Sequence, residues 1–181
     1  PTRTPTSTRT PTRTPTPTRT PTRTPTATPG VRTLMIYFAD RNRFASGLIP
    51  FEVPVKRTVP TSANPIGAVL DEFFKGPPEA EKRIGLVAML NGFTGYSRAV
   101  GNGDVVSVYL KGTCQFTTDW YGIAQALLTN LKQIPGVFYV KIYDQNGQTS
   151  LPSGRSDSAP ACLGSSALLL PTRTPTVTPF R

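Results

Sequence analysis

Threonine occupies every even-numbered position from 2 to 28, and proline or arginine fills most of the odd positions between them. The pattern returns at 171–179. Hydroxyl groups at this density among prolines are typical of O-glycosylated, mucin-like stalks. Because the sequence contains no Asn-x-Ser/Thr site, we expect any glycosylation to be O-linked. The candidate acceptors are Thr2, Thr4, Thr6, Thr8, Thr10, Thr12, Thr14, Thr16, Thr18, Thr20, Thr22, Thr24, Thr26, Thr28, Thr172, Thr174, Thr176 and Thr178.

The strict period of two also has a geometric consequence. In an extended strand, side chains alternate between faces, and backbone N–H and C=O groups alternate between edges. The threonines therefore share one hydrogen-bonding edge, and the prolines, which lack an N–H, share the other. Such a strand can add to a neighbour's sheet and then block the addition of a further strand. The alternative is an unpaired spacer in which the period has no structural role.

The two cysteines, Cys114 and Cys162, are too far apart in sequence for a typical zinc or redox pair. One widely spaced pair in a Thr/Pro-rich chain favours a disulfide, and with it an oxidising, extracytoplasmic location. Two free, buried thiols are the alternative. A bond between them would close a long loop, which the chain-entropy model values at about 4 kcal/mol.

Residues suited to catalysis are scarce. The sequence contains no histidine, which removes the commonest general base and the commonest metal ligand. Asp71 and Glu72 are adjacent acids, but neighbours on a helix point about 100° apart and make poor acid–base partners. We therefore expect no enzymatic activity and no bound metal or cofactor.

Aromatic side chains stand at Trp120, Tyr121, Tyr139 and Tyr143 in the second half of the chain. They could form a platform that binds sugar rings, or they could pack within the core and on the sheet. Lys141, between two of the tyrosines, indicates that this face of the last strand is exposed. If a neighbouring subunit covers that face, Tyr139 and Tyr143 become interface residues.

Apolar runs are short throughout the chain, and none is long enough to cross a bilayer. One of them, formed by Leu168, Leu169 and Leu170, stands directly before the second Thr/Pro segment. It could fill a groove on a neighbouring subunit, or it could pack on its own domain. The sequence favours neither alternative.

The formal net charge of +10 arises mainly in the tails, because all ten acidic residues lie between them. Basic tails often bind nucleic acid through phosphates. Here the arginines are diluted by threonine and proline, and no aromatic residue stands among them from 1 to 30 to stack on a base. We therefore do not expect nucleic acid as a partner.

Hydrophobic periodicity predicts one folded body at 31–164, between a tail at 1–30 and a short apolar strand with a second tail at 165–181. Helices are expected over 65–75 and from about 118 to 134. Strands are expected at 34–39, 51–59, 84–90, 104–110 and 137–143, and the second of them is either an edge strand or a bulged one because it contains Pro54. This order predicts an α/β (α+β) two-layer sandwich, with two helices over one mixed β-sheet.

Four stretches of the body carry a family resemblance: 36–38 (Ile-Tyr-Phe), 54–57 (Pro-Val-Lys-Arg), 70–77 (Leu-Asp-Glu-Phe-Phe-Lys-Gly-Pro) and 131–143. With them, the chain from about Thr33 to Leu163 resembles the GerMN (sporulation and spore germination) domain. The resemblance implies a small, non-enzymatic module of cell-envelope proteins, similar to ring-building domains that pack a helical face on a neighbour's sheet. The tails lie outside the resemblance, which implies neither catalytic residues nor a membrane anchor.

Tails and body together predict a structural subunit of an extracellular filament or surface polymer. The bodies would repeat head-to-tail, and the Thr/Pro tail, carrying O-glycans, would pack on neighbouring subunits, since heterologous contacts that do not close give open polymers. The alternative is a monomeric cell-envelope module on a glycosylated stalk that binds cell-wall polysaccharide or exopolysaccharide. Either way, the chain is expected at the cell surface or outside the cell.

Overall fold

A computed structural model of the chain describes residues 30–116 and 121–164. Both tails with their threonines, Trp120, and the run Leu168 to Leu170 lie outside the described residues. The strands are β1 (Val31–Asp40), β2 (Glu52–Pro60), β3 (Leu86–Val87), β4 (Phe93–Asn102), β5 (Val105–Gly112) and β6 (Tyr139–Tyr143). The helices are α1 (Arg41–Ala45), α2 (Pro65–Lys75), α3 (Glu79–Arg83) and α4 (Ile123–Lys132), followed by a 3-10 turn at Ala161–Leu163.

The first sheet has the strand order β2-β1-β3, and both pairings are antiparallel. β2 pairs with β1 along its whole length, from Val31–Pro60 to Ala39–Glu52. As predicted from Pro54, β2 is an edge strand. On the other side of β1, β3 pairs only with Ala39 and Asp40, so along most of that edge no strand from residues 30–116 or 121–164 lies beside β1.

The second sheet has the strand order β4-β5-β6 and is mixed. β4 and β5 form an antiparallel hairpin, whose turn contains Gly103 with a φ of 60°. β5 and β6 are parallel, and the crossover connection that parallel neighbours require contains α4. Beyond β6, the backbone at Ser158 bonds to Val140 and Ile142, so a short segment extends the sheet by one bridge.

The first long helix, α2, begins and ends where local signals predict. The Asn64 side chain accepts hydrogen bonds from the N–H groups of Ile66 (2.9 Å) and Gly67 (3.3 Å). At the other end, Gly76 has a φ of 73°, a conformation that disfavours residues with a Cβ. The helix ends there, as expected.

The second long helix, α4, is shorter than predicted. It begins at Ile123, whose N–H donates to the Asn91 side chain (2.7 Å), rather than near residue 118. α2 and α4 pack on each other, and both contact β1. α2 also packs against β4 and α4 against β6, so the two helices join both sheets around one core.

The α+β class is confirmed, but the expected single sheet is wrong, since the strands divide into two. The predicted strand at 84–90 shrinks to Leu86–Val87, and Ile84 is exposed. Further along the same edge of β1, Asn130 of α4 bonds to the backbone of Tyr37 where another strand would have paired. β4 was not predicted, because it is rich in glycine and polar residues.

Candidate functional site

The outer face of the second sheet carries three tyrosines and two arginines. Alternation along the strands places the tyrosines and one arginine there, because the residues between them, such as Val108 and Ile142, are buried in the core. The other arginine reaches the face from the loop after β6. We call this surface the tyrosine–arginine face, and it consists of Arg98, Tyr109, Tyr139, Tyr143 and Arg155. The candidate interface residues Tyr139 and Tyr143 lie here, both partly exposed.

A stack of three side chains crosses this face from strand to strand. The Tyr109 and Tyr143 rings are 4.4 Å apart between centroids and nearly parallel, with an angle of 9°. The Arg98 guanidinium carbon lies 3.8 Å from the Tyr109 centroid. Because β5 lies between β4 and β6, Arg98 and Tyr143 cover opposite sides of the Tyr109 ring.

The third tyrosine has a cationic neighbour of its own. The Arg155 guanidinium carbon lies 5.9 Å from the Tyr139 centroid, within the range of a cation–π contact. Asp104 accepts a hydrogen bond from Arg155, and this bond, followed by charge attraction, raises the pKa of the guanidinium. Val100, which is 48% exposed, adds an apolar side chain to the same face.

The expectation that Lys141 is exposed is wrong. Only 3% of Lys141 is accessible, and its ammonium group donates to the carbonyl oxygens of Leu151 (2.6 Å) and Ser153 (3.2 Å). The loop after β6 therefore folds over the middle of the strand and satisfies this charge. The tyrosines on either side remain accessible.

Tyr121 cannot belong to an aromatic platform. Its side chain is fully buried and meets the Phe51 ring edge to face at 5.7 Å. Burial, followed by the negative charge of Glu52, raises the pKa of its hydroxyl far above the ordinary value. Within the described ranges, this hydroxyl has no hydrogen-bond partner. The platform of four aromatic residues considered from the sequence therefore does not form.

Sequence reasoning missed three residues of the tyrosine–arginine face: Arg98, Tyr109 and Arg155. Tyr109 could have been found, because it alternates with buried residues in a strand that was predicted. Arg98 gave no such signal, since β4 was not recognised as a strand. Its place beside Tyr109 depends on the pairing of β4 with β5.

Cys114 and Cys162 form the predicted disulfide, with their Cα atoms 6.3 Å apart. The chain is tightly packed just before Cys114, because Gly112 lies against the backbone of Gly92, and Gly92 lies against that of Thr113. A Cβ on Gly92 would lie 2.2 Å from the carbonyl oxygen of Thr113, so a larger residue does not fit there. The alternative of two free thiols is excluded in this structure.

The adjacent acids Asp71 and Glu72 contact different residues, as expected because neighbouring side chains on a helix point in different directions. Asp71 accepts from the Tyr96 hydroxyl (2.8 Å), and burial together with this bond raises the pKa of Tyr96 to about 12. Glu72 pairs with Lys75 and lies 3.9 Å from the Arg57 Nε. Across residues 30–116 and 121–164, no three potential metal ligands of the His, Cys, Asp or Glu type come together. No helix in these ranges is long and apolar enough to cross a membrane.

No family model matches the sequence, and neither does any curated protein. Among solved structures, the chain is similar to the tandem GerMN domains of the sporulation protein GerM from Bacillus subtilis, with 18% identity and a TM-score of 0.48. The match covers 74% of this chain and 49% of that one, so this chain spans about half the length of the solved protein. This is the domain that the sequence resembles, and the likeness concerns the fold alone.

Proposed function

We propose that this chain is a structural subunit of an extracellular polymer. Its bodies repeat head-to-tail, its Thr/Pro tail packs on neighbouring subunits, and the tail threonines carry O-glycans. The tyrosine–arginine face is the observation that carries the proposal for the body. A polymer of this kind needs one surface for contact between bodies and one segment that reaches across subunits.

The composition of the face suits contact with another protein surface. Tyrosine and arginine are enriched among the residues that contribute most to protein–protein binding, because they offer large, rigid contact areas with polar ends. Here the stack of Arg98, Tyr109 and Tyr143 holds these side chains in place before binding. Ordering them on association therefore costs less conformational entropy.

The same stack gives less support to polysaccharide binding, the alternative function. An aromatic platform receives a sugar on an open ring face. Both faces of Tyr109 are covered, and one face of Tyr143 packs on Tyr109. Tyr139 lies beside Arg155, and Tyr121 is buried.

The disulfide supports the extracellular part of the proposal. Disulfides form and persist in oxidising compartments, and the Cys114–Cys162 bond uses both cysteines of the sequence. The threonine repeats match the composition of O-glycosylated stalks in such compartments. Intact mass of native material tests the glycans directly, and a mass equal to that of the bare chain contradicts them.

Assembly is tested by light scattering and electron microscopy of the full chain over a concentration series. Wild type should form polymers. Deleting residues 1–29, or changing Tyr143 to Ala, should raise the concentration needed by about tenfold or more, which corresponds to about 1.4 kcal/mol. Leu48→Ala, which removes an exposed apolar side chain from the loop after α1, is the control and should assemble normally.

A monomeric wild-type chain at every concentration would contradict the proposal. Retention of that monomer on insoluble polysaccharide would then favour the stalked binding module. Polymers that form equally well without residues 1–29 would contradict the role of the tail.

A further inference from the structure

Along the edge of β1 that faces away from β2, the backbone groups have hydrogen-bond partners towards the end of the strand and, among the described residues, lack them at its beginning. Odd-numbered residues of β1 direct their N–H and C=O groups away from β2. Tyr37 shows this direction, because its N–H and C=O both bond to the side chain of Asn130. Its partner on β2 is Pro54, which has no N–H and so cannot donate to Tyr37. On the same edge, Ala39 pairs with Val87 of β3.

Towards the beginning of β1, fewer of these outward backbone groups have a hydrogen-bond partner. The C=O of Met35 accepts a hydrogen bond from the Gln133 side chain (2.6 Å). The register with β2 runs without a bulge, so Thr33 and Val31 face the same way as Tyr37. Among the described residues, nothing bonds to the outward backbone groups of Thr33 and Val31 or to the N–H of Met35. We call these groups the open edge.

A groove of about 470 Å³ runs beside the open edge. Pro65 and Val69 of α2 form one wall, and Ile134 and Pro135, after α4, form the other. Arg32 also lines the groove, and its Nε–H is buried without an acceptor in the described part of the chain. Buried donors without partners are rare in completed structures. The site therefore has an apolar channel, a row of free backbone groups and an unsatisfied donor.

We propose that the open edge is the acceptor site for the Thr/Pro repeat of a second copy, residues 1–29, which adds as an extended strand. This inference rests on the proposed function and names where the tail binds. Pairing with Val31, Thr33 and Met35 requires N–H and C=O groups at every second residue of one edge. The even-numbered threonines present them, and the other edge, with its prolines, stops further addition.

The backbone at Gly30 disfavours a tight return of the chain to this edge. The C=O of Gly30 accepts from the Thr61 N–H (2.8 Å), so the chain enters β1 in line with the strand. Folding back through a two-residue hairpin at 29–30 would use a turn with positive φ at one or both central residues. Proline cannot adopt a positive φ, and Gly30 does not have one. A two-residue hairpin at 29–30 is therefore excluded as a route back to this edge, which favours the tail of a second copy as the occupant.

Amide hydrogen exchange of the full wild-type chain tests the site directly. When scattering shows assembly, the N–H groups of Thr33 and Met35 should exchange at least about tenfold more slowly than in dilute solution. The N–H of Leu34, which faces β2, should be protected at all concentrations. Protection of Thr33 and Met35 that does not depend on concentration would assign the edge to the chain's own tail and overturn the proposal.

A pair of matched variants provides the second test. Thr33→Pro removes an outward N–H and obstructs the open edge, but it removes no hydrogen bond between β1 and β2. Thr58→Pro, directly opposite on the outer edge of β2, introduces the same change away from the groove. We expect Thr33→Pro to prevent assembly and Thr58→Pro to allow it, with urea unfolding to compare their stabilities.

The outcomes separate this inference from the proposed function. Polymers whose Thr33 and Met35 amides exchange freely, or polymers formed equally by Thr33→Pro, would overturn the acceptor site but leave the polymer intact. A wild-type chain that never assembles would overturn both.

Discussion

The side chain of Asn130 makes the two hydrogen bonds to the backbone of Tyr37 that a neighbouring β-strand would make. Its Oδ1 accepts the Tyr37 N–H, and its Nδ2 donates to the Tyr37 C=O, both at 2.9 Å. The same Nδ2 also donates to the C=O of Ala126 within α4 (2.9 Å), and the residue is fully buried. A helix side chain thus completes one step of the first sheet's hydrogen bonding and fixes α4 against β1.

Asn130→Ala should lower the free energy of unfolding by about 2–4 kcal/mol, because it leaves the N–H and C=O of Tyr37 without partners in a partly buried place. Urea denaturation measures this loss. Gln145→Ala, which removes an amide from an exposed turn, is the control and should stay within about 0.5 kcal/mol of wild type. Equal losses in the two variants would contradict the strand-like role of Asn130.

Stability should fall above about pH 10, the ordinary pKa of tyrosine, where unfolded chains begin to lose the phenolic proton. Burial raises the pKa of Tyr121 and, to about 12, that of Tyr96. A raised folded-state pKa gives stability that is complete below the unfolded value and is lost as pH rises towards the folded one. Tyr121→Phe should therefore make the unfolding free energy less sensitive to pH between about 9 and 11, as urea titrations at both values can measure.

Tyr121→Phe should also stay within about 1 kcal/mol of wild type at neutral pH, because the Tyr121 hydroxyl, although near enough to Glu52 for this carboxylate to raise its pKa, makes no hydrogen bond of ordinary geometry among the residues described. The two cysteines are joined, so no free thiol is present to start disulfide exchange in alkali. A variant whose stability declines with pH as steeply as that of wild type would contradict the assignment to Tyr121.

Removing the disulfide should cost about 4 kcal/mol, the chain-entropy value for a cross-link spanning a sequence separation of 48 residues. We expect a reducing agent to lower the melting temperature of wild type. The double variant Cys114→Ala, Cys162→Ala should melt at that lower temperature with or without the agent. A wild-type chain that melts unchanged after verified reduction would show that the bond adds no stability.

Arg57 and Glu81 form a two-point ion pair at 2.8 and 2.5 Å, and this hydrogen bonding raises the pKa of Arg57. Lysine lacks the planar fork that bonds both carboxylate oxygens through parallel N–H groups, so Arg57→Lys should lower the unfolding free energy by about 1–2 kcal/mol. Lys82→Ala breaks the exposed pair with Glu79 and should change it by less than about 0.5 kcal/mol. Chemical denaturation of both variants checks the contrast, and equal effects would contradict it.

Local signals in the sequence were enough to place α2. The Asn64 cap, Pro65 in the first turn and Gly76 at the end act within a few residues of the helix, and the structure shows each of them. Pro54 likewise identified an edge strand, because a missing N–H restricts a strand whatever the rest of the fold. The sequence also placed Tyr139 and Tyr143 on one strand, but it did not supply their neighbours.

Features that depend on distant contacts could not be predicted. Asn130 and Tyr37 are 93 residues apart, and a polar residue in an apolar helix stripe gives no indication of its partner. The division into two sheets follows from that contact and from the short β3. In the same way, the contact of Arg98 with Tyr109 required the pairing of β4, whose glycines and polar residues resemble those of a loop.

The disulfide also determines how the body would carry a mechanical load between its ends. A pull applied at Gly30 and Gly164 passes along β1 at one end and through the Cys114–Cys162 bond at the other. The segment from 115 to 161, with α4 and β6, is bypassed by this covalent route. Because β1 and β2 are antiparallel and Val31 lies opposite Pro60, a pull on Val31 loads the pairing at that end and opens it one step after another. The backbone of α4 is therefore spared by the cross-link, and tension reaches this helix only sideways, through the bonds of Asn130 to Tyr37.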